Sequence, residues 1–205
     1  MESISYIVCT NNHEILNNFL IRSLKLDNED ELVVVENPKS IAQGYNFGID
    51  HAKHRIKCFV HQDLILTNPI LLRMNLMAYC TENIGMVGVV GSTTDASPWW
   101  EGELVGSVVD GRKGISYFSE GKQFCEHLDG LLLATFQDVR FDESIPGFHL
   151  YDQDICKQMT KLGKRNFCIG DGYRIVSHFT KAPFDLSQIK GYYEALDVYR
   201  KKWQC

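Results

Sequence analysis

Apolar positions along this chain switch between a strand-like run and a helix-like spacing, and the switching predicts an α/β fold. Ile4 to Thr10 is a continuous β-rich run that ends in Asn11-Asn12. Asn11 and Glu14 have the spacing of a capping box, and Ile15, Leu16, Phe19, Leu20 and Leu24 follow on one helical stripe. After an acidic turn at Asp27 to Asp30, Leu32-Val33-Val34-Val35 reads as a second strand, stopped at Glu36-Asn37-Pro38 because proline ends regular pairing. Ser40 to Lys53 carries Ile41, Tyr45, Ile49 and Ala52 on one helix face, and Lys57 to Val60 makes a third strand. Three apolar strands with helical spacings between them predict parallel pairing in a doubly wound sheet.

The second half is less regular. Pro69 to Tyr79 predicts a helix with Leu72, Leu76 and Tyr79 in register, and Gly85 to Gly91 a glycine-punctuated strand. Ser92 to Gly114 lacks apolar periodicity and reads as a long loop, with Pro98-Trp99-Trp100-Glu101 inside it. Leu128 to Thr135 predicts a buried strand entered through Asp129-Gly130. The helix after Tyr151-Asp152-Gln153-Asp154 carries Ile155, Met159 and Leu162, with Gly163 at its end. Asn166 to Ile169 and Tyr173 to Phe179 read as strands. Ile189 to Trp203 reads as an amphipathic tail helix with a basic end, expected to pack on its own domain, although its tyrosines leave a homodimer open.

A chain of 205 residues, 44% hydrophobic, suits one domain and is short for two. With 26 acids against 21 bases the net charge is −5, and no basic block is present, which argues against nucleic acid. The seven cysteines are scattered without a CxxC pair, so a zinc site of that kind is not expected and a reducing cytoplasm is. The N-terminus reads as a first strand rather than a signal peptide, and no apolar stretch is long enough to span a membrane.

Candidate chemistry centres on Phe59-Val60-His61-Gln62-Asp63. In an extended segment His61 and Asp63 face the same way and Gln62 the other. At the carboxyl edge of a parallel sheet, where such folds bind ligands, an imidazole and a carboxylate suit a divalent cation and the diphosphate it neutralises. Asp63 is the expected metal ligand. His61 could bind metal, donate to a phosphate or touch a ribose. Trp99 and Trp100 suit stacking on sugar rings, with one of the two expected to plug the core instead.

In this order the motifs resemble a family-2 glycosyltransferase of GT-A fold, in its streptomycin-biosynthesis-type glycosyltransferase-like branch. The resemblance spans about residues 3 to 183. Thr10-Asn11-Asn12 stands at the family's nucleotide-binding strand end, and Gln43-Gly44-Tyr45-Asn46-Phe47-Gly48-Ile49 at its Ala-Arg-Asn-x-Gly-Ile helix start. His61-Gln62-Asp63 falls on the Asp-x-Asp metal motif, Tyr151-Asp152-Gln153-Asp154-Ile155 on the Glu-Asp-x-Asp-Leu helix, and Val176-Ser177-His178 on the late metal-binding histidine. His61 and Tyr151 each replace an acid, and Tyr45 replaces an arginine.

What the resemblance implies is a single Rossmann-like GT-A domain with a mostly parallel central sheet flanked by helices. Residues 1–91 would form a nucleotide-binding half, 92–183 an acceptor and catalytic half, and 184–205 a C-terminal helix. The implied activity is hexosyl transfer from a nucleotide-diphosphate sugar to a hydroxyl acceptor, inverting and dependent on Mn²⁺ or Mg²⁺. Asp152 would be the general base, with Asp154 a first-turn acid or its structural partner. Asp63 and His178 would hold the metal. Thr10, Asn11, Glu36, Asn46 and His61 would meet the nucleotide sugar, and Trp99, Trp100, Asp129 and Gly130 the acceptor. The alternative is a catalytically inactive GT-A-fold protein that binds a nucleotide or sugar, or scaffolds a partner.

Overall fold

A computed structural model describes residues 2–27, 29–111, 114–119, 121–179 and 191–204 of the chain. Strand β1 (Ile4–Thr10) alternates faces, with Tyr6 and Val8 buried in one apolar cluster and Ile7 in another. Helix α1 (His13–Leu16) continues as a π-helical turn at Asn17–Ile21. Its cap is Asn12, whose side chain accepts from Ile15 N at 3.1 Å, so the expected Asn11–Glu14 capping box lies one residue off. Strand β2 (Glu31–Glu36), helix α2 (Ile41–His51) and strand β3 (Ile56–His61) follow. Strand β1 pairs in parallel with β2 on one side and β3 on the other, as the apolar runs predict. Helix α2 lies close on this sheet because a Cβ at Gly48 would fall 2.3 Å from Ile7 Cγ2.

Strand β4 (Leu64–Leu66) leads to helix α3 (Pro69–Tyr79), which has the predicted bounds. Asn68 caps it by accepting from Leu71 N at 2.9 Å, and Pro69 takes the first helical position, where no N–H is needed. The run from Gly85 to Gly91 is two strands, β5 (Ile84–Gly88) and β6 (Val90–Ser92), which part at Val89 and enter different sheets. The segment read as one long loop contains a 3₁₀ turn at Trp99–Glu101 and a full strand, β7 (Leu104–Asp110). Gly106 and Ser107 interrupt the apolar run of β7 and hide its period. Strands β8 (Gly114–Tyr117), β9 (Gln123–Cys125), β10 (His127–Leu128) and β11 (Leu132–Thr135) follow. The strand expected from Leu128 to Thr135 is thus split by a turn at Asp129-Gly130.

Helix α4 (Tyr151–Lys161) buries Ile155 and Met159, but Leu162 is 68% exposed, so its apolar face ends before the predicted third position. Gly163 at φ 75° closes the helix in the left-handed region. Strand β12 (Arg165–Cys168), the helical turn α5 (Gly172–Ile175), strand β13 (Val176–His178) and helix α6 (Tyr192–Trp203) complete the chain. Only the last residues of the strand expected over 173–179 pair, and Ile189 lies outside the described residues.

The main sheet has the order β2-β1-β3-β11-β5-β12-β9, parallel except for β11 and β9. Leu16 and Leu20 with Leu72 and Leu76 of α3 cover one face, and α2 and α4 cover the other. A smaller sheet, β10-β6-β7-β13-β4 with β8 on β7, flanks the first. Helix α6 packs on its own domain through Tyr192, Ala195, Leu196 and Tyr199 against Ile145 and Leu150. Asp154 fixes it there. This buried first-turn acid accepts from Lys202 Nζ at 2.7 Å and Trp203 Nε1 at 2.8 Å, so its partner is α6 rather than Asp152.

Candidate active site

Parallel pairing puts the carboxyl ends of β1, β2 and β3 at one edge. His61 is the last residue of β3, and Asp63 stands two residues on, in the turn before β4. The backbone bond from Phe179 N to Asp63 O, 2.9 Å long, brings the end of β13 to the same place. There Asp63 Oδ2 lies 3.3 Å from His178 Nε2. One ligand atom each from His61, Asp63 and His178 lies within 4.8 Å of the others. The alternation expected for this stretch holds in outcome, since His61 and Asp63 converge while Gln62 turns to β1.

Gln62 organises the next wall. Its Oε1 accepts from Thr10 Oγ1 at 2.6 Å, Asn11 N at 3.2 Å and Asn12 N at 3.3 Å, and its Nε2 donates to Asn11 Oδ1 at 2.8 Å. Thr10 and Asn11 therefore present a fixed surface to a cleft of about 220 Å³, which Pro38, Ile41, Tyr45, His61, Asp63 and Phe148 also line.

The electrostatics are mutual. Burial lowers the His61 pKa, and although the charge of Asp63 opposes this, the neighbouring His178 adds to it, so the pKa stays below its ordinary value. Burial alone would raise Asp63, but the bond and charge of His178 hold its carboxyl below the usual range. Burial alone would lower His178, yet the Asp63 bond and charge keep it above its ordinary value.

Asp152 stands in the first turn of α4, after Leu150 in a left-handed conformation at φ 61°. Its Oδ2 accepts from Gly130 N and its Oδ1 from Gln153 N, both at 2.9 Å. Burial first, and then the charge of Asp129, push its pKa up to about 7 against the pull of those N–H groups. Asp129 Oδ1 accepts from Leu131 N at 2.8 Å, so the Asp129-Gly130 turn sits directly beside Asp152.

A model of a glycosyltransferase-like family matches residues 5–187. The chain belongs to that family. No curated protein sequence matches it. Among solved structures, this glycosyltransferase-like chain is similar to Staphylococcus aureus TarS 1–349 in complex with UDP-GlcNAc, at 14% identity and a TM-score of 0.62 over 98% of this chain and 66% of that one. It is similar to mannosyltransferase PcManGT from Pyrobaculum calidifontis in complex with GDP-Man and Mn²⁺, at 14% identity and a TM-score of 0.58 over 85% of this chain and 56% of that one. GalNAc-T7 with UDP, GalNAc and Mn²⁺ matches at 8% identity and a TM-score of 0.63, over 100% of this chain and 49% of that one. The chain spans about half to two thirds of the length of these neighbours. They establish its fold as GT-A.

Other residues singled out from the glycosyltransferase-like sequence lie elsewhere. Glu36, at the exposed end of β2, is 3.4 Å from His13 Nε2 and lines a neighbouring depression with Pro38 and Phe47. Asn46 is buried and pins a distant segment, donating to Phe141 O and accepting from Phe141 N, both at 2.9 Å, and donating to Glu143 Oε1 at 2.8 Å. Trp99 is in the core, and half-buried Trp100 packs at 6.0 Å from the Tyr192 ring, so neither indole lines the cleft beside His61. Sequence reasoning gave no site role to Gln62, Phe148 or Tyr151. Phe148 is 51% exposed at the cleft, and its one signal was an aromatic directly after the Pro146-Gly147 turn. No helix among the described residues is long and apolar enough to cross a membrane.

Proposed function

We propose that the protein transfers a hexosyl group from a nucleotide-diphosphate sugar to an acceptor hydroxyl, with inversion and with a divalent cation, as a member of the streptomycin-biosynthesis-type branch. One observation carries the reading. The Asp152 carboxylate is joined through Gly130 and Tyr151 to His61, which clusters with an Asp63–His178 pair able to hold a metal. Two of the similar structures hold Mn²⁺ with a nucleotide or nucleotide sugar, which supports the same assignment here.

The donor set fits a divalent ion. Asp63 offers a carboxylate already held in its ionised form, and His178 offers an imidazole that favours Mn²⁺ over Mg²⁺. Bound there, the ion would supply Lewis-acid stabilisation of the departing nucleoside diphosphate. Thr10 and Asn11, held by Gln62, form the wall for the nucleoside, and Pro38 and Phe148 give the base an apolar surface. Asp152 takes the acceptor proton on a carboxylate oxygen. Two backbone N–H groups orient it, and a pKa near 7 makes it a stronger base than an ordinary aspartate while leaving it substantially ionised. Asp129 and Gly130 stand on the acceptor side of that base.

Phosphorus NMR of the protein with Mn²⁺, a panel of nucleotide sugars and small hydroxyl acceptors tests this. Cleavage of one sugar nucleotide to its nucleoside diphosphate is the expected result. A donor that binds and persists uncleaved with every acceptor would replace transfer by a nucleotide-sugar binding role.

A further inference from the structure

The two residues that depart from the acidic family motifs, His61 and Tyr151, touch each other. His61 Nε2 lies 2.8 Å from Tyr151 Oη, and Tyr151 Oη donates to Gly130 O at 3.1 Å. A phenol has one proton to give, and a carbonyl oxygen has none. Both bonds form together only if Tyr151 donates to Gly130 O and accepts from His61. His61 then carries its proton on Nε2, and the lone pair is left on Nδ1.

Packing fixes the ring that carries this hydroxyl. Tyr151 is buried, edge-on to Tyr45 at 5.8 Å between ring centroids and 6.1 Å from Phe141. A Cβ at Gly130 would fall 2.0 Å from Tyr151 Oη, so the absence of a side chain there makes room for the hydroxyl. The His178 ring lies 5.8 Å from that of His61, and His61 clusters with Asp63 and His178.

We propose that Tyr151 is a positioning residue that fixes the Nε2–H tautomer of His61 and so presents Nδ1 as a third ligand beside Asp63 and His178. The result is a cation site of two imidazoles and one carboxylate, which selects Mn²⁺ and similar transition ions over Mg²⁺. This rests on the reading of Asp63 and His178 as metal ligands, and extends it to a residue pair in which one replacement accounts for the other. A carboxylate at position 61 would need no tautomer set. An imidazole there does, and a tyrosine at position 151 sets it.

Titration of the protein with Mn²⁺ alone, followed by electron paramagnetic resonance, tests the inference. Tyr151→Phe is expected to weaken Mn²⁺ binding about 10- to 100-fold, the usual effect of losing a ligand's outer hydrogen bond. In a His61→Asp background the same Tyr151→Phe change is expected to alter Mn²⁺ affinity less than about 2-fold, since the coupled partner is gone. His61→Asp itself should narrow the preference for Mn²⁺ over Mg²⁺. Pulsed spectra of the bound ion should show two imidazole nitrogens in the wild type and one in His61→Asp. Wild-type affinity in both Tyr151→Phe and His61→Asp, with binding still lost in Asp63→Ala, would overturn the role of the pair and leave the metal site standing. Unchanged Mn²⁺ binding in Asp63→Ala would overturn the metal reading beneath it.

Discussion

Asp152→Asn is expected to lower the turnover of sugar transfer by about a hundred- to ten-thousandfold, the range a positioned general base contributes. An amide cannot accept the acceptor's proton, while its shape keeps the first turn of α4 intact. Two effects on stability oppose each other. The variant loses one of the acceptors for Gly130 N and Gln153 N, and it no longer places a charge beside Asp129 in a desolvated setting. Native circular dichroism with a large loss of kcat is the expected pair of results. Wild-type turnover in this variant would remove Asp152 from the chemistry.

The pKa near 7 also sets a pH dependence. In the proposed role only the ionised carboxylate would act as base, so the wild-type rate should rise as pH passes through about 7 and then level off. Stability runs the other way for this group. Its folded pKa is raised above the unfolded value of about 3.9, so its favourable contribution is present at low pH and is lost as pH rises through about 7.

Asp63→Ala is the second large effect, expected to reduce cation-dependent turnover by about a hundredfold or more, as loss of a Lewis acid implies. It removes the carboxylate of the ligand set and the partner of His178 together. Without the Asp63 bond and charge, burial is opposed only by the weaker charges of Asp129 and Asp110, and the His178 pKa should fall. Proton NMR of the histidine ring across pH 5 to 8 would read this directly. An unchanged His178 titration would contradict the pairing.

How far the sequence discloses this molecule depends on the length and regularity of each element. Strands β1 to β3 and helices α2 and α3 are legible because their apolar runs are uninterrupted or keep helical spacing over several turns. The region from β6 to β11 is not, since most of its strands have only two to four residues and carry no measurable period, and Gly106 and Ser107 break the run of the longer β7. Val89 divides an apolar run between two sheets, a choice made by distant pairing partners rather than by local residues.

The same distinction governs the site. His61 and Asp63 converge as strand alternation suggests, and Asp152 and His178 stand out through family resemblance. Their partners do not. Tyr151 lies 90 positions from His61 in the chain, and Gln62 reaches back 52 to Thr10. Read separately, the departures at positions 61 and 151 look like losses of function. Their hydrogen bond becomes visible only when β3 and α4 are assembled. Of Trp99 and Trp100, one is expected to plug the core, and Trp99 is buried there, while partly buried Trp100 packs beside α6.

The most direct test of a cation-dependent nucleotide site at the end of β3 is the melting temperature with UDP, GDP, dTDP and CMP, each with and without Mn²⁺. A ligand at about 100 times its Kd stabilises the folded state by about 2.7 kcal/mol, enough to shift the melt by several degrees. The account predicts such a shift with one nucleoside diphosphate, present with Mn²⁺ and absent without it. No shift with any nucleotide, in either condition, would contradict it.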